Sequence, residues 1–416
     1  MLFHNPELRL LARDRYDAGA LRAIEAALRS HGALTFDRLP SGLFPACRLG
    51  AGDAQSGYDN VWIRDNVYIA YAHLVSGAPR IAADTARALL EFQARQRRRF
   101  DDIIAGVTDP ADVASRPQVR FDGRTLAEID GLWAHAQNDA LGYLLWLGAQ
   151  LVRNGYLDDE RSLSVLRLLP RYFAAIRYWE DEDSGHWEET RKISASSIGA
   201  VVAGLESFLS CPKQFDDALL QLAGDASRRG REALAAILPN ECAQLDPEKN
   251  RRYDAALVFL LYPLGVIDGP LAELVLHDVD SYLAGDVGIR RYLRDSFWAP
   301  DYETRLGPAE RTRDYSRDMA ARDALIHDVG GEAQWCIFDP LLSAYDGRAG
   351  RPERQVHHFN RTLAQITASW QCPELYYRKG GKYTPGPQSP LQWTQANLLV
   401  ALQTMKDSSH AERQTA

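Results

Sequence analysis

Apolar residues return at every third or fourth position through most of the chain. The segments "GALRAIEAALRS", "ADTARALLEFQARQ", "NDALGYLLWLGAQLV", "SLSVLRLLPRYFAAIRYW", "SIGAVVAGLESFL", "DAALVFLLYPLGV", "PLAELVLHDVDSYL", "EAQWCIFDPLLSAY" and "VHHFNRTLAQITASW" follow one another with this spacing, which predicts a succession of α-helices. In the third, Ala140, Leu144, Leu147 and Leu151 fall on one helical face. Strand-like alternation is scarce. No Ser/Gly-rich linker separates the segments and no fixed-length repeat relates them, so the pattern predicts one closed all-α array rather than separate modules or a simple solenoid.

Composition supports a large core. Of 416 residues 46% are apolar, with nine Trp and eighteen Tyr, enough for aromatic pocket walls as well as helix packing. The formal charge of -8 argues against a general polyanion binder such as a nucleic-acid protein, and the basic run Arg95, Arg97, Arg98 and Arg99 reads as a solvated helix end. Cys47, Cys211, Cys242, Cys336 and Cys372 are scattered and lack CxxC spacing, so neither a zinc site nor a disulfide framework is signalled. The first residues, "MLFHNPELRLLARDR", carry charges where a signal peptide needs an apolar stretch, and no segment is long and apolar enough to span a bilayer. A cytoplasmic protein with no membrane partner is expected.

One stretch does not fit a plain core helix. In "SGYDNVWIRDNVYIAYAHL", Arg64 and Asp65 stand side by side at the entrance of an apolar helix, where charges must pair with each other or with something polar that arrives later. Similar mixtures of Trp, Arg, Asp and Glu precede other helices, in "LWAHAQND", "SGHWEETRK", "GIRRYLRDSFWAPD" and "CPELYYRKGGKYTPGPQSPLQW". Aromatic faces cover the C–H surface of a sugar ring while paired charges hold its hydroxyls, so the set suits a carbohydrate ligand. Helix capping and buried ion pairs are the alternative explanation for each loop taken singly.

These loops, in this order, resemble the glucoamylase-type glycoside hydrolases of family 15 and the related α and β regulatory subunits of phosphorylase kinase. The resemblance runs from "SGLFPA" at Ser41 through "VWIRDNVY", "AHAQNDALGYLLWL", "HWEETRKISASSIGA", "GIRRYLRDSFW", "EAQW" and "CPELYY" to "PLQWTQANLLVAL". It implies an (α/α)6 toroid in a single domain at 41–406, with an N-terminal helical segment at 1–40 packed on it and a flexible tail at 407–416. It implies further that Arg64 and Asp65 hold the outermost glucose beside Trp62, and that Trp133, Gln137, Asp139, Trp187, Glu189, Arg291 and Trp335 complete the substrate-binding set.

Glycoside hydrolysis needs one carboxyl to protonate the leaving oxygen and a second to attack or to activate water. By resemblance Glu188 in "HWEET" matches the general acid, and packing on Trp187 and repulsion from Glu189 are expected to raise its pKa. Glu374 in "CPELYY" stands at the place of the general base, although its local sequence looks more like the kinase subunits. Inversion at the anomeric carbon is implied, with the carboxyls about 6.5–9.5 Å apart. No cofactor or metal is expected. Around these residues, Arg290 and Arg294 are expected to face outward or to pair with Asp286 and Asp295. Asp254 reads as a helix cap, and adjacent His357 and His358, which lack a carboxylate partner at metal spacing, as surface or core residues. Two functions remain open: an exo-acting hydrolase of short α-linked gluco-oligosaccharides or other small glucosides, and a catalytically silent glucan-binding regulatory protein. The sequence shows no appended starch-binding module, which favours small glucosides over granular starch.

Overall fold

The structure, a computed structural model, describes residues 1–47, 57–131, 133–311, 313–326 and 330–415. Its main helices are α1 Ala18–Ser30, α2 Ile63–Val75, α3 Pro79–Arg95, α4 Asn138–Arg153, α5 Glu160–Ile176, α6 Ala195–Leu209, α7 Asp217–Ile237, α8 Val258–Leu261, α9 Gly269–Asp278, α10 Phe338–Arg348, α11 Pro352–Gln365 and α12 Gln392–Thr415. The even-numbered helices pack each on the next, and α12 closes against α2. The odd-numbered helices lie outside them. This is the expected (α/α)6 toroid.

Burial explains the two kinds of sequence. Inner helices meet protein on every side: all residues from Ile63 to Ala72 in α2 and from Asn138 to Ala149 in α4 are buried, so these segments are apolar nearly all round. The single face expected for Ala140, Leu144, Leu147 and Leu151 is buried, but so is most of the rest of α4. Outer helices cover the ring on one side only. In α7 the buried positions Leu219, Ala223, Ala226, Gly230, Leu234 and Ile237 recur at helical spacing. The fourth inner helix is short because a 3-10 turn, Ala255–Leu257, forms its entrance.

Two glycines set the closest inner contact. A Cβ at Gly142 of α4 would lie 2.7 Å from backbone atoms of Ala200 and Val201 in α6, and one at Gly204 would lie 2.7 Å from the Gly142 carbonyl oxygen. The helical cost of glycine, about 1 kcal/mol each, is offset by this approach.

Two small antiparallel sheets lie outside the helical ring. One joins β1 Val61–Trp62, β2 Arg120–Asp122 and β3 Ala127–Glu128, with Trp62 opposite Arg120. The other joins β4 Gln334–Trp335, β5 Leu375–Lys379 and β6 Lys382–Pro385, with Trp335 opposite Leu375. Gly380 and Gly381, at φ 55° and 76°, supply the left-handed pair that a tight hairpin requires. The strands are too short to produce visible alternation in sequence, yet they fix the residues around the inner-helix entrances.

The segment 1–40 supplies ring helix α1, and α12 continues to Thr415 through the stretch expected to be a tail. No helix among the described residues is long and apolar enough to cross a membrane. The contact between α4 and α6 yields a direct test. Helix propensity alone favours Gly142→Ala, but the added methyl meets rigid backbone, so the variant should lose about 1–3 kcal/mol. Urea unfolding measures it; unchanged or increased stability would contradict the close approach.

Candidate active site

The first turns of α2 and α4 meet through Arg64. Its guanidinium pairs with Asp139 and also donates to Gln137 Oε1 at 3.3 Å and Glu188 Oε1 at 3.5 Å. Side-chain exposures of 4% for Arg64 and 0% for Asp139 leave water little part in this pair. Asp139 therefore holds Arg64 and does not open to a ligand. Gln137 precedes α4 but makes no side-chain cap; its amide donates to Glu188 Oε1 at 3.1 Å and to Ala134 O at 2.7 Å.

Glu188 sits on a strained turn. Its φ of 58° lies in the left-handed region, which costs a non-glycine residue about 1–3 kcal/mol. Glu188 N donates to Gly185 O and Glu189 N to Ser184 O, so the turn sends the two consecutive carboxyls to different surroundings. His186 anchors it from below: fully buried, it bonds Tyr143 Oη at 3.0 Å and Ser196 Oγ at 3.1 Å and stacks on Phe259. Burial pushes its pKa down to about 3. The imidazole is thus neutral.

Glu188 Oε1 takes a third donor, Trp62 Nε1 at 2.8 Å. Oε2 has no hydrogen-bond partner among the described residues. Burial raises the Glu188 pKa against the pull of Arg64, Gln137 and Trp62. A rise caused by burial was expected, but the surroundings of Glu188 differ from those expected. Trp187 donates instead to Asp254, at 3.0 and 3.2 Å, and Trp62 is the indole bonded to Glu188. Glu189 is turned away from Glu188, so its repulsion does not set the shift.

Two further carboxyls stand on this side. Asp65, 7% exposed, accepts no hydrogen bond from another residue among those described, and burial pushes its pKa up to about 7 against the field of Arg64. Glu374 is 5% exposed, and burial pushes it up to about 8. Its backbone is held by Cys336 N on Glu374 O and by Glu374 N on Gln388 O. Tyr58 Oη donates to its two oxygens at 3.2 and 3.3 Å, and the Tyr58 ring lies 5.7 Å from that of Trp62. Tyr58 and Trp62 therefore bridge the two glutamates, each of which touches one of these rings. Asp65 and Glu188 both act electrostatically on Glu374.

Glu189 is the centre of a separate cationic hub. It accepts from Arg251 at 2.9 Å, lies 3.5 Å from both Lys192 and Arg291, and takes the Tyr292 hydroxyl. Burial alone would raise its pKa, but Arg251, Lys192 and Arg291 hold it well below the usual carboxylate range. Arg291 also donates to both oxygens of Asp295 at 2.7 Å and lies over the rings of Trp187, Phe297 and Trp335. Trp335 in β4 packs 5.8 Å from Trp187. Asp254 caps the 3-10 turn through Ala256 N, as expected, and in addition binds Trp187 and Arg251. Trp133 completes the Trp62 wall, its ring 6.2 Å away.

Several neighbouring expectations are corrected by distance. Asp295 serves Arg291 and Arg290 pairs with Glu332 at 3.2 Å, whereas Arg294 faces outward as expected and pairs with Asp323 at the surface. Asp286 accepts from Tyr383. His358 is a core residue, one of the two expected alternatives, and lies 2.9 Å from Asp339 because α10 and α11 pack together. No group of His, Cys, Asp and Glu suited to a metal is present among the described residues, and the five cysteines are buried and not joined in disulfides among the described residues. The Arg95–Arg99 run is paired along the surface with Glu91, Asp101, Asp102 and Glu128. A cleft of about 830 Å³ on the outside of the ring, between Arg38, Asp84, Arg87, Asp159 and Arg161, shares no residue with the glutamate cluster. Its charges are mutually paired and it has no aromatic wall.

Tyr58, Arg120, Lys192, Arg251 and Tyr292 adjoin these residues but were not singled out in sequence, and Asp295 was named only as a partner for Arg290 or Arg294. Tyr58 lies four residues before Trp62 in the same charged loop, and Asp295 four after Arg291; those spacings were the available signals.

The helical toroid thus gathers buried carboxyls, arginines and indoles at the entrances of its inner helices. The sequence pattern of Glycosyl hydrolases family 15 matches residues 23–300; the chain belongs to this family. Among solved structures it resembles a glycosidase at TM-score 0.71 and 20% identity, covering 94% of this chain and 99% of the other; one such structure is a Glu→Ala variant in complex with glucose. A bacterial glucoamylase complexed with acarbose superposes at TM-score 0.61 and 17% identity over 89% of this chain and 55% of that one. Among curated proteins, a probable phosphorylase b kinase regulatory subunit alpha of Caenorhabditis elegans is 26% identical over 392 residues, 82% of this chain and 30% of the relative. The skeletal muscle isoform of that subunit from Oryctolagus cuniculus is 25% identical over 421 residues, 91% and 31%. The chain thus spans about a third of these relatives' length.

The Glu189 hub makes a prediction about acid stability. Its folded pKa is depressed, so its stabilisation is present above the unfolded value of 4.5 and is lost as pH falls toward the folded one. Glu189→Gln should cost about 3–5 kcal/mol at pH 7, since it strands buried cations. The gap from wild type should narrow in denaturant titrations below pH 4.5. A gap independent of pH would contradict the ion-pair account.

Proposed function

We propose that the chain is an inverting, exo-acting hydrolase of α-glucosides, releasing glucose from the non-reducing ends of short α-linked gluco-oligosaccharides or other small glucosides. The observation that carries this reading is the joining of Glu188 and Glu374 through Trp62 and Tyr58, with the unpaired carboxyl of Asp65 beside them. Asp65 and Arg64 hold the hydroxyls of the terminal glucose, Trp62 walls the ring, and Trp133 carries that wall on toward the aglycone. Arg291, Trp187, Glu189 and Trp335 line the far side.

In this reaction Glu188 Oε2 gives its proton to the glycosidic oxygen as the C1–O bond breaks. Three donors fix Oε1, leaving the other oxygen for the transfer. Glu374 takes a proton from a water that adds to C1 from the opposite face. The water supplies OH to the glucose, and the aglycone leaves with the proton from Glu188; proton exchange with solvent resets both groups. No metal is required, because the two carboxyls carry both transfers. Ionisation of Glu374 is helped by Tyr58 and the field of Arg291.

One observation favours a second reading. Burial pushes Glu374 up to about 8, which keeps it largely protonated at neutral pH, as a silent glucan-binding relative of the kinase subunits would tolerate. The two readings separate by kinetics. An enzyme should show kcat/KM rising with pH as Glu374 ionises. Glu188→Gln should lower turnover of an alkyl glucoside by about 10²–10⁴-fold but spare an aryl glucoside whose leaving group needs no proton, whereas Glu374→Gln should impair both. Binding without turnover across an α-glucoside panel, unaffected by either substitution, would establish the silent protein.

A further inference from the structure

Among the described residues Arg120 forms no ion pair. It lies in β2 directly opposite Trp62, the indole that donates to Glu188. Its guanidinium lies 3.9 Å from the Trp133 ring centroid and 4.7 Å from that of Trp62. One hydrogen bond goes to Gly57 O at 3.2 Å, and Nε is buried without a partner. Glu188 and Asp59 are the carboxyls that act on it most strongly, and neither forms an ion pair with it among the described residues. The other arginines around the site are ion-paired, Arg64 with Asp139, Arg291 with Asp295, and Arg251 with Glu189 and Asp254, although Arg64 Nε is likewise buried without a partner.

Burial depresses the Arg120 pKa, the behaviour of a cation short of negative partners. The two indoles attract it and hold it in place. They offer no hydrogen-bond acceptor to its edge. Guanidinium edges match carboxylate and phosphate oxygens with paired, charge-assisted hydrogen bonds.

Position then says which part of a substrate it meets, and here the inference rests on the proposed hydrolase. Glu188 protonates the oxygen that departs with the aglycone. Arg120 lies over Trp62, the indole bonded to Glu188, and over Trp133, whereas among the described residues no hydrogen bond or ion pair joins it to Asp65 or Glu374, which serve the glucose side. Arg120 therefore borders the aglycone. We propose that Arg120 receives an anionic oxygroup, a carboxylate or a phosphate, carried by the aglycone of an α-glucoside. The formal charge of -8 gives the chain no general attraction for anions, so any such preference must be local.

Three probes share one skeleton: α-glucosyl-glycerol, α-glucosyl-glycerate and α-glucosyl-glycerol phosphate. Wild type should favour one or both anionic probes over the neutral one by about tenfold or more in kcat/KM, and the better of the two identifies the group. Arg120→Met should bring the anionic-to-neutral ratio close to one; Arg120→Lys, which keeps charge but loses the fork, should retain part of it. A merely structural arginine would depress all three probes alike and leave the ratio unchanged, which overturns the inference, as does equal or better use of the neutral probe by wild type. Calorimetric binding of the same probes separates failures. If none is hydrolysed but the anionic probes bind more tightly, and Arg120→Met abolishes that, the hydrolase reading falls and the anion site stands. Binding without an anionic preference, or no binding of the anionic probes, removes the site.

Discussion

The Arg64 guanidinium joins three parts of the chain that are remote in sequence. It ties the entrance of α2 to Asp139 at the entrance of α4 and reaches Glu188 in the loop before α6. A buried arginine with one partner removed would leave an uncompensated charge, a penalty of about 3–5 kcal/mol. The pair therefore constrains the ring and the site together: helix entrances cannot separate without stranding it. Gln137, which accepts from Arg64 and donates to Glu188, carries the same constraint to the acid itself.

Around that fixed point the glutamates differ by their surroundings. Glu188 meets three donors on one oxygen, Glu374 meets a tyrosine hydroxyl, and Glu189 meets a cluster of cations. Adjacent residues thus acquire opposite proton affinities. The left-handed backbone at Glu188 makes the separation possible, since it directs Glu188 and Glu189 to different neighbours. In the proposed reaction this division leaves Glu188 to transfer a proton and Glu189 to remain an anion that organises Arg291 and Arg251.

A closed array of helices was legible from periodic apolar segments such as that of α7, and the family resemblance supplied the toroid; which helices are inner, buried on every side like Ile63–Ala72, was not legible from spacing. The charged entrance at Arg64 and Asp65 was legible as an anomaly, and the family pattern placed Glu188 and Glu374 at one site. Partner assignments were not legible. Asp295 serving Arg291 and His358 meeting Asp339 depend on rotations and helix contacts that spacing does not encode. The same holds for Trp62, not Trp187, bonding Glu188. Strands of two to five residues leave too little alternation to read, so Arg120 opposite Trp62 emerged only from the register.

The central claim is that Glu188 and Glu374 act on one glycosidic bond from opposite faces of the sugar. Time-resolved proton NMR of wild type turning over an α-glucoside tests it directly, because the anomer first released records the face from which water attacked. The account predicts β-glucose at the earliest times, with the α-anomer growing in only by mutarotation. Initial release of α-glucose would contradict it.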